Sequence, residues 1–139
     1  MIRIVVDTNV FVSSLFGGNP RQIIDLWKNG TALLCLSPAI VDEYMEVLYR
    51  LSLGEGGELD ELLKLFARGY HIVFTHTTPN LNIVTDDPDD DKFIECAVAL
   101  NAKYIVSGDK ALLSVKDYMG IKILPPRELL EHIKIDSGF

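Results

Sequence analysis

The sequence contains few of the residues that build zinc, redox or disulfide sites. Of its 139 residues, only two are cysteines and three are histidines. Cys35 and Cys96 lie in apolar segments, without the spacing of a zinc or redox motif. His71, His76 and His132 are scattered and form no metal-binding or triad spacing. We therefore expect buried, reduced thiols and no histidine-based centre.

Long apolar runs are also missing. Hydrophobic residues make up 48% of the chain, but polar residues interrupt every apolar stretch well short of the length that spans a bilayer. The chain begins directly with a strand-like segment, without a basic leader or a small-residue cleavage site. We expect a soluble, cytoplasmic protein with no membrane contact, in a single domain covering 1–139.

Basic residues are the scarcer charge, with 13 Lys and Arg against 20 Asp and Glu, which gives a net charge of −7. This balance disfavours broad attraction to phosphate backbones, so any contact with nucleic acid must be local. It is compatible with bound divalent cations or with a basic partner.

Apolar segments alternate with helix-like segments along the chain. Short apolar runs predict five buried strands, at residues 2–6, 32–36, 71–74, 104–106 and 121–124. Amphipathic segments between and after them predict helices, including one from 38 to about 51 that opens with Ser37-Pro38. Strands alternating with helices indicate a three-layer α/β/α fold with a mostly parallel five-stranded sheet.

Acidic residues follow four of these strands. Asp7 comes directly after the first strand, Glu43 lies early in the helix after the second, the cluster 86–91 follows the third, and Asp109 follows the fourth. Because the carboxyl ends of parallel strands meet at one edge, we expect these acids to converge. Close carboxylates repel and raise each other's pKa, so a hard divalent ion is the natural compensation, and oxygen ligands favour Mg²⁺ or Mn²⁺.

Four stretches together resemble the PIN-domain nucleases, and in particular the VapC-like toxins of type II toxin–antitoxin pairs. They are Val5-Val6-Asp7-Thr8-Asn9, Asp42-Glu43, residues 87–97 and residues 104–109. The resemblance covers nearly the whole chain. It implies a PIN-like fold and a Mg²⁺- or Mn²⁺-dependent endoribonuclease, in which activated water attacks phosphorus in line and the 3′ oxygen leaves.

The resemblance also assigns roles to individual residues. Asp7, Glu43 and Asp109 match catalytic acids that bind the metal. Asn9 and Ser107 match polar positions that support these acids or contact bound water. A homodimer and a cognate antitoxin, whose tail blocks the acidic groove, are the partners that the resemblance implies besides RNA.

The third acid of the family pattern lies in the cluster 86–91. The family's acid stands seven residues before a small helix residue, so Ala97 points back to Asp90, while the adjacent Asp91 is an alternative metal ligand. We interpret Asp86, Asp87 and Asp89 as caps or first-turn acids.

Basic residues near the predicted groove are few. Many relatives carry Lys or Arg after the second-strand helix, whereas residues 54–61 contain none. The candidate phosphate contacts nearest to the groove are Arg21, Lys92 and Lys110.

Other interpretations of the acids remain open. A flap-type DNA nuclease would use the same acids, and a non-catalytic PIN relative would use the acidic pocket to bind protein. A receiver module needs an acid pair near the first strand and a lysine after the fifth, and only Asp7 fits that pattern. A haloacid-dehalogenase-like phosphatase needs a second Asp where Asn9 stands.

Overall fold

A computed structural model describes residues 1–51 and 57–137. Residues 54–56, at the start of the segment without basic residues, lie outside these ranges. The elements are β1 (Ile2–Val6), α1 (Thr8–Ser13), α2 (Gly18–Lys28), β2 (Ala32–Leu36), α3 (Pro38–Arg50), α4 (Gly57–Ala67), β3 (Ile72–Phe74), α5 (Asp91–Ala99), β4 (Tyr104–Val106), α6 (Lys110–Leu113), β5 (Asp117–Tyr118), β6 (Ile121–Leu124) and α7 (Pro126–Ser137). Single 3₁₀ turns at Ser14–Phe16 and Pro88–Asp90 precede α2 and α5.

The strands form one mostly parallel sheet in the order β3-β2-β1-β4-β6-β5. All neighbouring strands are parallel except β5 and β6, which are antiparallel. The prediction of five strands is therefore wrong, because β5 adds a sixth. Met119 and Gly120, with φ values of 52° and 83°, form the tight turn between β5 and β6. A two-residue strand shows too little alternation to be recognised in a sequence.

Helices cover both faces of the sheet. Ile4, Val5 and Val6 of β1 are each fully buried, and consecutive strand residues point to opposite faces. α5 packs against β1, β2 and β4, while α2 packs against β2 and contacts α7. Within the described ranges, no helix combines the length and apolar character needed to cross a membrane.

An aromatic cluster fixes α3 beside the carboxyl end of β1. The Tyr44 hydroxyl donates a hydrogen bond to the Val6 carbonyl, and burial raises the pKa of Tyr44 well above its usual value, so the hydroxyl keeps its proton. The Tyr44 ring stacks on Phe11 of α1 with centroids 4.3 Å apart, and Phe66 of α4 packs beside both rings. This packing places Glu43, the neighbour of Tyr44, at the edge of the sheet where β1 ends.

The two cysteines are free and buried, as the sequence predicted. Burial raises the pKa of each thiol to about 12, so both are protonated at neutral pH. Cys35 and Cys96 are therefore core residues.

Candidate functional site

Asp7 lies where β1 ends and α1 begins. One of its carboxylate oxygens accepts a hydrogen bond from the Val10 amide at 2.8 Å and caps α1, and the other accepts one from the Ser107 hydroxyl. Ser107 follows β4, the parallel neighbour of β1. The Asp7 side chain is therefore fixed by the two central strands of the sheet.

Burial is the main influence on the charge of Asp7. Only 4% of the residue is exposed, and this burial raises its pKa above the usual value, although hydrogen bonds from Ser107 and Val10 oppose the shift. The negative charge of Asp109 adds to the increase. A positive charge close to Asp7 would therefore stabilise its ionised carboxylate.

Asp87, Asp90 and Asp109 form a compact group of carboxylates. Each offers one oxygen, and these oxygens lie within 4.8 Å of one another. The 3₁₀ turn fixes the first two, because the Asp90 amide donates to the Asp87 carbonyl at 3.0 Å. Asp109 caps α6 by accepting from the Ala111 amide at 3.0 Å, and its own amide donates to the Ser107 hydroxyl oxygen at 3.0 Å. We call these three residues the acid triad.

In the absence of an ion, two members of the acid triad, Asp90 and Asp109, share one proton. Burial, the hydrogen bond to Asp109 and the charges of Asp109, Asp87 and Asp7 raise the pKa of Asp90 to about 8. The same hydrogen bond holds the pKa of Asp109 below its usual value. At neutral pH Asp90 is therefore the protonated partner and Asp109 the ionised one.

A divalent cation fits the acid triad. Asp90 Oδ2 is buried and finds no hydrogen-bond partner among the described residues, which is costly for a polar atom in the interior. The three residues supply only carboxylate oxygens, the donors that hard divalent ions prefer. A cation bound there would replace the shared proton and give Asp90 Oδ2 a partner.

Glu43 is not a member of the triad, and both of its carboxylate oxygens contact other side chains. Its Oε1 accepts a hydrogen bond from the Thr8 hydroxyl at 2.5 Å, and its Oε2 forms an ion pair with Lys92. Lys92 also pairs with Asp89 at 3.1 Å. Although burial alone would lower the pKa of Lys92, the hydrogen bonds to Glu43 and Asp89 raise it, so the ammonium stays charged.

Asp91, the alternative third acid, anchors a loop. Its Oδ1 accepts hydrogen bonds from the amides of Ile83 at 3.0 Å and Val84 at 2.9 Å. The residue is only 7% exposed. The Asp91 carboxylate therefore holds the chain that leads into the 3₁₀ turn.

The remaining predicted site residues differ in exposure and partners. Asn9 is exposed, whereas Ser107 is fully buried and contacts both Asp7 and the Asp109 amide. Arg21 donates to the carbonyls of Ser14 and Leu15, at 3.2 and 2.9 Å. Lys110, the first residue of α6, is exposed and directly follows Asp109.

Asp87 is the member of the acid triad that the sequence analysis did not include among the metal ligands. It occupies the N-cap position of the 3₁₀ turn, but its side chain makes no capping hydrogen bond. Residues at i and i+3 eclipse one another in a 3₁₀ turn, so Asp87 and Asp90 share a side. The three-residue spacing of Asp87 and Asp90 could have indicated a shared site, but only if the segment were known to form a 3₁₀ turn.

Comparisons with known proteins identify the family of this chain. The family model described as PIN domain matches residues 3–111. The uncharacterized protein MJ1680 of Methanocaldococcus jannaschii is 33% identical, over 96% of this chain and 92% of its own length. The crystal structure of PAE2754 from Pyrobaculum aerophilum shares the fold, with a TM-score of 0.56, 14% identity, and coverage of 96% of this chain and 98% of that one. The chain belongs to the PIN-domain family.

Proposed function

We propose that this protein is a metal-dependent endoribonuclease and the toxin of a type II toxin–antitoxin pair. PIN domains are in general metal-dependent nucleases that act on nucleic acids. The observation that carries the proposal is the acid triad beside Asp7, whose carboxylates fit a divalent cation at the carboxyl edge of the sheet. Mg²⁺ and Mn²⁺ are the ions of choice because every donor is an oxygen.

Asp90 and Asp109 hold the ion in this proposal, and Asp87 completes the group. Asp90 is preferred to Asp91, because Asp91 already accepts two backbone hydrogen bonds while Asp90 Oδ2 is buried without a partner among the described residues. Asp7, which the resemblance assigns to the metal centre, adds a negative charge from the end of β1 that strengthens cation binding. When bound there, a divalent cation would supply activation of water and stabilisation of the leaving oxygen of the phosphodiester.

RNA binding requires a local positive charge, because the net charge is −7. In our proposal the exposed Lys110 contacts a phosphate next to Asp109, and Asn9 contacts bound water beside Asp7. PIN-domain proteins often pair with antitoxins. We propose a cytoplasmic homodimer that is inhibited by such a partner, with a basic side chain of the antitoxin neutralising the acid triad.

Cleavage of a panel of RNA and single-stranded DNA, with Mn²⁺ or with chelator, tests the function. We expect metal-dependent cleavage of RNA, and a loss of at least about 100-fold in the D90N/D109N variant, because two of the three triad carboxyl groups are removed. Asp117→Asn is the matched control, since Asp117 is an exposed acid in β5, and it should retain the parent activity.

Three outcomes distinguish the alternatives. Cleavage of DNA alone would favour a flap-type nuclease, and unchanged cleavage by D90N/D109N would contradict the assignment of the site. A folded parent protein that binds a partner but cleaves no substrate would favour a protein-binding module.

Asp91→Ala tests whether Asp91 is a ligand. We expect this variant to be less stable but to keep the cleavage activity of the parent per folded molecule. This result would distinguish Asp91 from Asp90.

A further inference from the structure

We infer that Lys92 is a built-in cation of this centre, which neutralises Glu43 and limits the site to a single divalent ion. The inference rests on the proposed function only in taking the acid triad as an ion site. Lys92 acts through Glu43, so it is a positioning residue.

The contacts of Glu43 leave neither of its oxygens without a donor. Oε2 pairs with the Lys92 ammonium, and Oε1 accepts from the Thr8 hydroxyl at 2.5 Å. The side chains of Lys92 and Glu43 are 13% and 23% exposed, so their ion pair is shielded from water far better than a surface pair. An ion that used Glu43 as a ligand would have to displace one of these two donors.

The backbone holds Lys92 at this position. Lys92 is the second residue of α5, and Glu43 lies in α3, a helix that packs against α5. Its neighbour Asp91 anchors the preceding loop through two backbone amides. The Lys92 ammonium is therefore held beside Glu43 by the first turn of α5, which Asp91 anchors to the preceding loop.

Two sets of acids at this edge are thereby distinguished. Asp87, Asp90 and Asp109 place one oxygen each within 4.8 Å, which is suitable for one shared cation. Glu43 and Asp89 are joined instead by the ammonium of Lys92. A centre with two divalent ions needs carboxylates for both, and Lys92 supplies a positive charge where the second ion would otherwise be needed.

Counting bound Mn²⁺ by electron paramagnetic resonance tests this inference on the full chain. We expect one ion per chain in the parent and a second in Lys92→Met, because Glu43 and Asp89 then lack their cation. Lys92→Arg should restore the count to one. Lys122→Met, which removes an exposed lysine from β6, is the matched control and should also bind one ion.

Glu43→Gln provides a measurement that does not depend on Lys92→Met folding. We expect it to bind one Mn²⁺ with an affinity within about threefold of the parent, because Glu43 is not a ligand of that ion. A loss of tenfold or more in Mn²⁺ affinity, about 1.4 kcal/mol, would overturn the inference. Two ions in the parent, or one ion in a folded Lys92→Met protein, would also overturn it.

The results separate this inference from the proposed function. Two bound ions with metal-dependent RNA cleavage would reject the role of Lys92 and leave the function intact. One bound ion without cleavage of RNA would support Lys92 and reject the function. No binding of Mn²⁺ would overturn both.

Discussion

Two acids in this protein have a structural and an electrostatic role at the same time. Asp7 caps α1 and Asp109 caps α6, each through one carboxylate oxygen. Asp109 also hydrogen-bonds to Asp90, whose pKa is raised further by the charges of Asp109 and Asp7. A sequence pattern presents the turn acid and the metal ligand as alternatives, but a carboxylate has two oxygens and can be both.

At the scale of single residues, the raised pKa of Asp90 predicts pH-dependent ion binding. Without an ion, Asp90 keeps its proton up to about pH 8, and a ligand must lose its proton before it binds a metal. Mn²⁺ affinity should therefore rise about tenfold per pH unit as the pH approaches that value, and level off above it. Calorimetric titrations well below about pH 8, in buffers of different ionisation enthalpy, would also show release of one proton per ion.

Asp90→Asn is the control for this titration. It removes the titrating group, so its weaker Mn²⁺ binding should lose most of the dependence on pH in the same range. A parent affinity that does not change with pH would contradict the assignment of the shared proton to Asp90 and Asp109.

At the scale of elements, local patterns predicted most of the fold. The bounds of β2 and β4 agree with the predicted strands, and α3 begins at the predicted Pro38. At residues 10–16, for which the sequence predicts no element, the structure has the end of α1 and a 3₁₀ turn. Asp7 also caps α1, a role that is not among those predicted for it from the sequence.

Contacts distant in sequence could not be predicted in the same way. β5 exists because it pairs with β6 through a tight turn, and its two residues carry no periodic signal. The ion pair between Glu43 and Lys92 joins residues 49 positions apart. Sequence periodicity places both residues on helices, but only the packing of α3 against α5 brings their side chains together.

The turn between β5 and β6 yields a prediction about stability. Gly120 has a φ of 83°, and an added Cβ would meet no atom within 4 Å, so Gly120→Ala has only a backbone cost. We expect a loss of about 1 kcal/mol in the free energy of unfolding, measured by urea denaturation, with Mn²⁺ binding unchanged.

Gly57→Ala is the matched substitution for this measurement. Its Cβ would also meet open space, but Gly57 begins α4 and its φ lies outside the left-handed range. It should be neutral or slightly stabilising, because alanine restricts the unfolded chain. Equal destabilisation by both substitutions would show that the Gly120 turn carries no special strain.

At the scale of the whole molecule, the topology concentrates negative charge at one edge. Parallel pairing of β1 with β2 and with β4 brings their carboxyl ends together, and the acids that follow these strands arrive with them. Mutual repulsion between these carboxylates opposes the native state, so other interactions of the fold must offset it. A chain with a net charge of −7 has no surplus of positive charge to offset that repulsion.

The folded protein should therefore gain stability from divalent ions. An ion that binds only the native state, at 100 times its dissociation constant, adds about 2.7 kcal/mol. For a chain of 139 residues this corresponds to a rise in Tm of roughly 5–12 °C. Differential scanning calorimetry with Mn²⁺, compared with NaCl of equal ionic strength, would measure it. D90N/D109N should show little of this rise, because it lacks two of the triad's carboxyl ligands. An equal rise in NaCl, or in that variant, would mean that the ion screens the whole surface and does not bind the acid triad.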